Sequence, residues 1–256
     1  MLISITDRCM EQCTHCMADA TPTGKHMSDE TWEQVLGFLA QAKPTNVCIS
    51  GGEPTLHPRC GEWVRTLRER GFIVSLLSNG SFLESGDDDL ISDMMYIARE
   101  LHMSFLQITT DSRFYPNHVQ RMASVAKYKL EGCTTYQIKH LLPYGRARNN
   151  HPESFKSTRS PTCANIFLVA KQLPNLPVAL RLLEEGYAQF CKPVITRTGD
   201  VHPGEAAMCP PVGHVLDGAS VIFDRLRTGG PCGRCGLTKN IHQPEMRKLL
   251  NIGEQS

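Results

Sequence analysis

Cys9, Cys13 and Cys16 fall within the stretch Cys9-Met10-Glu11-Gln12-Cys13-Thr14-His15-Cys16, directly after the apolar run Leu2, Ile3 and Ile5. Three thiolates spaced C-x3-C-x2-C can ligate three irons of a four-iron cubane and leave the fourth iron open to a small molecule. A purely electron-carrying cubane takes four cysteines instead. Two other readings stay open on this segment alone: a zinc ion with His15 as its fourth ligand, or a plain ferredoxin-type centre.

A second segment narrows the chemistry. Val47, Cys48 and Ile49 read as a strand that runs into Gly51-Gly52-Glu53-Pro54, about one strand-helix unit downstream of the cysteines. Paired glycines let backbone approach a ligand closely, and an acid behind them accepts hydrogen bonds from an amine. A lone Gly-Gly-Glu is explained as well by a tight turn, so the weight lies in both motifs occurring in this order. Together they resemble the radical S-adenosylmethionine (SAM) enzymes, with His15 in the aromatic position before the last cysteine. The resemblance implies a [4Fe-4S] cluster on Cys9, Cys13 and Cys16, SAM chelating the unique iron, and Gly51, Gly52, Glu53 and Pro54 beside the SAM amino group. It also implies an electron donor such as flavodoxin or ferredoxin, reductive cleavage of SAM to a 5′-deoxyadenosyl radical, and hydrogen abstraction from a C–H bond.

The elements that must position these residues alternate. Strand candidates are Leu2 to Ile5, Asn46 to Ser50, Ile73 to Leu77, Phe105 to Thr109 and Thr134 to Leu141, each rich in β-branched or aromatic residues. Between them, apolar residues recur at helical spacing: Trp32, Val35, Leu36 and Leu39 after a Ser28 cap; Trp63, Val64 and Leu67 before Gly71; Leu90, Met94, Ile97 and Leu101; and Val119, Met122 and Val125. All four stripes are expected to face the core. Repeated β-α units predict an α/β fold with a parallel sheet and right-handed crossovers. The resemblance makes this a partial (β/α)6 TIM-like barrel.

Ligand-binding residues belong at the C-terminal strand ends of such a sheet. Ser78-Asn79-Gly80 and Thr109-Thr110-Asp111 fall there, and Pro143-Tyr144-Gly145-Arg146-Ala147 follows the fifth strand. The resemblance places Ser78, Asn79 and Asp111 near the SAM ribose and carboxylate, although Ser-Asn-Gly also reads as a turn and Asp111 as a helix cap. A P-x-G-R-A segment is frequent in family members that carry an added iron-sulfur domain.

The pattern then changes. Residues 148 to 162 are polar and broken by Pro152 and Pro161, which reads as a linker or active-site loop and sets expected domains at 1–162 and 163–256. Val194 to Val201 carries a β-hairpin signal with Gly199-Asp200 at its turn. Cysteines bracket it: Cys191 and Cys209, then Cys232 and Cys235. Four soft ligands suit zinc or a closed [4Fe-4S] cluster, and spacing does not choose between them. The C-x(n)-G-x4-C pattern ahead of C-x2-C resembles the SPASM extension of radical SAM enzymes in its shortened twitch form, which implies an auxiliary [4Fe-4S] cluster.

Composition is compatible with such an enzyme. The 256 residues are 41% hydrophobic and can bury a sizeable core, and a net charge of +1 provides no basic field for nucleic acid. No apolar stretch is long enough to span a bilayer and no charged-then-apolar leader is present, so a cytoplasmic location is the default expectation. The odd count of 11 cysteines points to a reducing compartment and metal ligation rather than disulfides. Cys48, Cys60, Cys133 and Cys163 read as buried small apolar residues. For substrate, the extension resembles those of peptide-modifying members, which form crosslinks or oxidise side chains. A chain that opens almost on its first strand would then need a separate recognition protein. The alternative is a dehydrogenase of a small alcohol or sugar. A non-enzymatic iron-sulfur sensor or electron carrier stands third, and Glu53 argues against it because a carrier needs no amine acceptor.

Overall fold

The computed structural model describes residues 1–44, 46–99, 104–138, 145–151, 193–202 and 210–227. Strands β1 (Leu2–Ser4), β2 (Asn46–Ser50), β3 (Ile73–Ser78), β4 (Ser104–Thr109) and β5 (Thr134–Thr135) pair in parallel. A helix fills each step between them: α1 (Asp29–Ala42), α2 (Cys60–Glu69), α3 (Asp88–Arg99) and α4 (His118–Lys127). Then follow α5 (Gly145–Asn150), β6 (Val194–Ile195), β7 (Asp200–His202), β8 (Gly213–His214) and α6 (Ala219–Arg227). One sheet holds all of these strands in the order β5-β4-β3-β2-β1-β6-β7-β8. β6 lies parallel to β1, whereas β7 and β8 add antiparallel, forming the expected hairpin with Gly199 at φ +86° in its turn. Parallel neighbours require long crossovers, and the helices supply them, which yields the mixed α/β fold the repeats predict.

Side chains alternate across each strand, and the two faces differ in chemistry. Ile3, Val47, Ile49, Val74, Leu76, Leu106 and Ile108 are buried against Val35, Leu39, Val64, Leu67 and Met94 of the helices. The opposite face carries Ser4, Ser50, Leu77, Gln107 and Thr109, all half-buried, and Phe105, which is 53% exposed. A closed barrel fills that interior with packed apolar side chains. Here, among the described residues, the face is short, uncharged and only half-buried.

Helix ends follow the sequence in most places. The Ser28 hydroxyl accepts from Thr31 N–H at 3.1 Å and starts α1, and Lys43 ends it in the left-handed region at φ +46°. The α4 stripe departs from expectation: Val119 is 82% exposed, while Arg121 is buried beside Val125. The helix is rotated because Arg121 finds acidic partners inside, which outweighs burial of one valine. β5 is also shorter than expected, since its ladder with β4 covers Thr134 and Thr135 while residues 139–141 lie outside the described set.

Under the sheet, the Trp32 and Trp63 rings stack with centroids 4.3 Å apart, and the His57 ring lies 4.1 Å from Trp63. His57 Nε2–H donates to Met27 O at 3.0 Å, and its Nδ1 accepts from Arg59 N–H at 3.1 Å, which fixes a neutral tautomer. Burial pushes the His57 imidazole below its ordinary value, as it does for neighbouring His26. A histidine depressed in the folded state binds its proton first in the unfolded chain, so its stabilisation is complete above about pH 6.5 and is lost as pH falls below it. Melting temperature should therefore drop between pH 7 and pH 5, and His57→Gln should flatten that drop. An unchanged slope in the variant would remove His57 as its source. Among the described residues no helix is long and apolar enough to cross a membrane.

Candidate active site

The cysteine loop is held at its base by its own chain. Met27 N–H donates to Ile5 O at 2.8 Å, Asp7 N–H to Lys25 O at 2.9 Å, and Cys9 N–H to Thr21 O at 2.9 Å, so residues 21–27 clasp the strand that leads into the loop. Gly51 and Gly52 then bring the end of β2 onto the same strand. Gly52 N–H donates to Thr6 O at 2.7 Å, and Glu53 N–H to Arg8 O at 2.8 Å. A Cβ at Gly51 would collide with Thr6 O, and one at Gly52 with Arg8 O. Gly51 also sits at φ +139°, so both glycines are required here. Pro54 opens a short 3-10 turn behind them, Pro54–Leu56, and is buried.

The far side of the loop is gripped by α5. Arg146 Nε donates to Cys13 O at 3.1 Å and its Nη1 to Ala20 O at 2.8 Å. Asn150 Nδ2 reaches Thr14 O at 3.1 Å, and the His151 ring lies 2.9 Å from the Thr14 hydroxyl. Gly145, at φ +53°, leaves room for the carbonyls of Cys16 and Met17, each 2.6 Å from where a Cβ would stand. The G-R-A part of the P-x-G-R-A segment is thus a brace for the cysteine loop. Sequence spacing alone, across some 130 residues, could not have located that contact.

Glu53 is fully buried and ties three strand ends together. Its Oε1 accepts from the Thr55 hydroxyl (2.6 Å), Thr55 N–H (3.1 Å) and the Ser78 hydroxyl (2.8 Å), and its Oε2 from Asn79 N–H (2.7 Å). Burial pushes its carboxyl up, against the pull of these hydrogen bonds. All four partners donate, which matches an ionised acceptor, and Oε2 retains capacity for a further donor such as an amine. Asn79 continues the chain of contacts: its Nδ2–H points at Cys9 Sγ, 3.7 Å away. The motifs point to Glu53, Ser78 and Asn79 as parts of one site, and the structure brings them together.

Arg121 carries no motif that singles it out in the sequence. Its guanidinium is buried, with Nη2 2.8 Å from Glu11 Oε1 in the cysteine loop and Nε 2.8 Å from Glu84 Oε1. Nη1 donates to the Asn79 carbonyl. Burial disfavours the charge, yet the hydrogen bonds to Glu84 and Glu11 outweigh it and hold the group above its ordinary value.

The loop after β4 covers the opposite flank. His15 lies between Phe114 (4.7 Å) and Tyr115 (5.1 Å), and burial pushes its imidazole down to about 4. Burial likewise raises the Tyr115 phenol, with the charges of Cys13, Glu53 and Cys9 adding to the effect. Asp111 is buried at the root of this loop. It accepts from Arg113 Nη2 at 2.7 Å and from Ile138 N–H at 2.7 Å, and the Arg113 guanidinium holds it well below the usual carboxylate range. It therefore pins the β4 end to the segment after β5.

The three cysteines suit a cluster better than a single ion. Cys9 and Cys13 are buried, and burial pushes the Cys13 thiol up to about 12, with the neighbouring Cys9 and Glu11 charges adding to the rise. Thiols so placed ionise only for a cationic ligand. Glu11 Oε2, Arg146 Nη2 and His15 Nδ1 are buried without a hydrogen-bond partner among the described residues, a rim of unsatisfied groups around the loop. No set of three Cys, His, Asp or Glu side chains among the described residues converges on one metal-ion position. A zinc ion completed by His15 thus finds no ready ligand set, whereas the cysteines of a cubane each bind a different iron. Cys191, Cys209, Cys232 and Cys235 lie outside the described residues.

Comparison with known proteins agrees with this geometry. Residues 3–129, from β1 to just beyond α4, match the model of the radical SAM superfamily. An S-adenosylmethionine-dependent nucleotide dehydratase from a Thermoplasmatales archaeon (strain ISO4-H5) is 33% identical over 81 residues, 32% of this chain and 29% of that protein. PqqA peptide cyclase from Bradyrhizobium diazoefficiens is 32% identical over 85 residues, 32% of this chain and 22% of that protein. This chain therefore matches less than a third of the length of either relative. In fold it resembles Streptococcus suis SuiB bound to the precursor peptide SuiA, with a TM-score of 0.53, 11% identity, and coverage of 89% of this chain and 65% of that one. Both sequence motifs and the cradle they build lie inside the matched segment, and the chain belongs to the radical SAM superfamily.

Proposed function

We propose that this protein is a radical SAM enzyme that modifies a peptide or protein side chain by hydrogen abstraction, forming a crosslink or an oxidised residue. The observation that carries the radical reading is the cradle itself: three cysteines on a clasped loop, with Asn79 Nδ2–H aimed at Cys9 Sγ and Glu53 directly behind. A [4Fe-4S] cluster with SAM bound would supply one-electron cleavage to a 5′-deoxyadenosyl radical. The chain's own residues do the remaining work. Glu53 Oε2 offers an acceptor to an amine, the clasp and α5 hold the loop rigid, and His15, Phe114 and Tyr115 shield one flank from water. The likeness to PqqA peptide cyclase supports a peptide substrate. In this reading Cys191, Cys209, Cys232 and Cys235 would hold an auxiliary [4Fe-4S] cluster able to accept or conduct an electron, and the external electron donor would be a flavodoxin or ferredoxin.

Anaerobically reconstituted protein, reduced in the presence of SAM, should form methionine and 5′-deoxyadenosine. Fully clustered protein that formed none would remove the radical reading. Deuterium should pass into 5′-deoxyadenosine from a labelled peptide substrate. Transfer from a labelled alcohol or sugar instead would replace the peptide reading with that of a small-molecule dehydrogenase.

A further inference from the structure

Two motifs and a third, separate carboxylate meet at one guanidinium. Arg121, on α4, is 2% exposed and bridges Glu11, between Cys9 and Cys13, to Glu84, which follows β3. Nη1 donates to the carbonyl of Asn79, with the Asn79 Oδ1 at 3.5 Å. Asn79 is the residue whose amide donates toward Cys9 Sγ, and its Oδ1 also accepts from Ser81 N–H at 2.7 Å. Gly80 explains how the arginine gets there: a Cβ at that position would stand 3.0 Å from Arg121 Cδ and 2.8 Å from Ile108 Cγ2, and the residue adopts φ +80°. The Ser-Asn-Gly sequence is therefore more than a turn. Ser78 reaches Glu53, Asn79 reaches Cys9, and Gly80 clears the path for Arg121.

We propose that Arg121 is a positioning residue: it fixes the Asn79 backbone so that the side-chain amide donates to the Cys9 sulfur, and it anchors Glu11 so that the first arm of the cysteine loop keeps one shape. The proposal goes beyond the radical SAM reading but rests on its assignment of a cluster to Cys9, Cys13 and Cys16. A planar guanidinium suits the task, because its fork reaches two carboxylates and a carbonyl from three separate nitrogens, whereas an ammonium donates from one point. Hydrogen bonds to ligand sulfurs are one of the determinants of cluster potential, since they stabilise the more negative, reduced state.

The test uses full-length protein reconstituted anaerobically, with iron content, the electron paramagnetic resonance spectrum of the reduced cluster, and its midpoint potential as readouts. Arg121→Lys keeps the charge and loses the fork; Asn79→Ala keeps both ion pairs and the backbone carbonyl that Arg121 grips, and loses the donor to sulfur together with the Oδ1 acceptor of Ser81 N–H. Both should shift the midpoint potential in the negative direction and alter the spectrum, and Arg121→Lys should also lower iron retention. If Arg121→Lys does not fold, Asn79→Ala decides alone. A wild-type spectrum and potential in folded Asn79→Ala, or in both variants, would overturn the proposal and reduce Arg121 to a core ion pair. A Cys13→Ala control separates the two levels: if the wild-type spectrum does not depend on Cys13, the underlying cluster assignment fails as well.

Discussion

Gly52→Ala should cost the protein both stability and its cluster loop. The added methyl would stand inside the contact distance of Arg8 O, with Arg8 C at 2.8 Å and the Ala20 methyl at 2.9 Å. None of these is the far end of a flexible side chain. The base of the loop has to move as a unit, which breaks the donations of Gly52 N–H to Thr6 O and of Glu53 N–H to Arg8 O. Overpacking of this kind costs about 3 kcal/mol, and for a chain of this size that lowers the melting temperature by roughly 10 °C. Calorimetry of the apoprotein measures the first effect, and iron retained after reconstitution the second. A variant with wild-type values for both would show that the two motifs do not depend on the close approach of their backbones.

Cys13→Ala should abolish 5′-deoxyadenosine formation and the SAM-responsive iron signal while leaving the fold intact. The thiol is buried, and its replacement removes one sulfur with a stability loss on the order of 1 kcal/mol. Cys235→Ala is expected to behave differently, with lower total iron and impaired turnover but a preserved response of the first centre to SAM. Melting temperature, iron content and product formation separate these outcomes. A Cys235→Ala protein with unchanged iron would refute the auxiliary site, and an active Cys13→Ala protein would refute the first.

Much of this arrangement is legible in the local chemistry of short stretches of chain. Ser28 caps α1 as its hydroxyl suggests, β2 spans Asn46–Ser50 as its branched residues imply, and the glycine pair falls where backbone approaches backbone. The cysteine triplet and the Gly-Gly-Glu segment declare themselves because ligand number and glycine geometry are properties of a few adjacent residues. The features that sequence does not reveal are long-range. Arg121 and Glu11 are 110 positions apart, and on a helical wheel Arg121 looks like a solvent-facing interruption of a Val119-Met122-Val125 stripe. The acids Glu11 and Glu84, which Arg121 meets inside the fold, turn that face inward. Arg146 is similar: its segment is noticeable, but its grip on the carbonyls of Cys13 and Ala20 depends on how the chain returns after β5.

The place of β1 has a consequence for biogenesis. This strand is made before the other strands of the sheet, yet it ends in the middle of that sheet, and its second neighbour is β6, some 190 residues later. Until that hairpin arrives, one flank of β1 presents unpaired amides and carbonyls, a template for pairing with another chain. Contacts of such sequence separation form slowly. Nascent protein should therefore pass through a sticky interval that ends only when the distal hairpin zips onto the waiting strand.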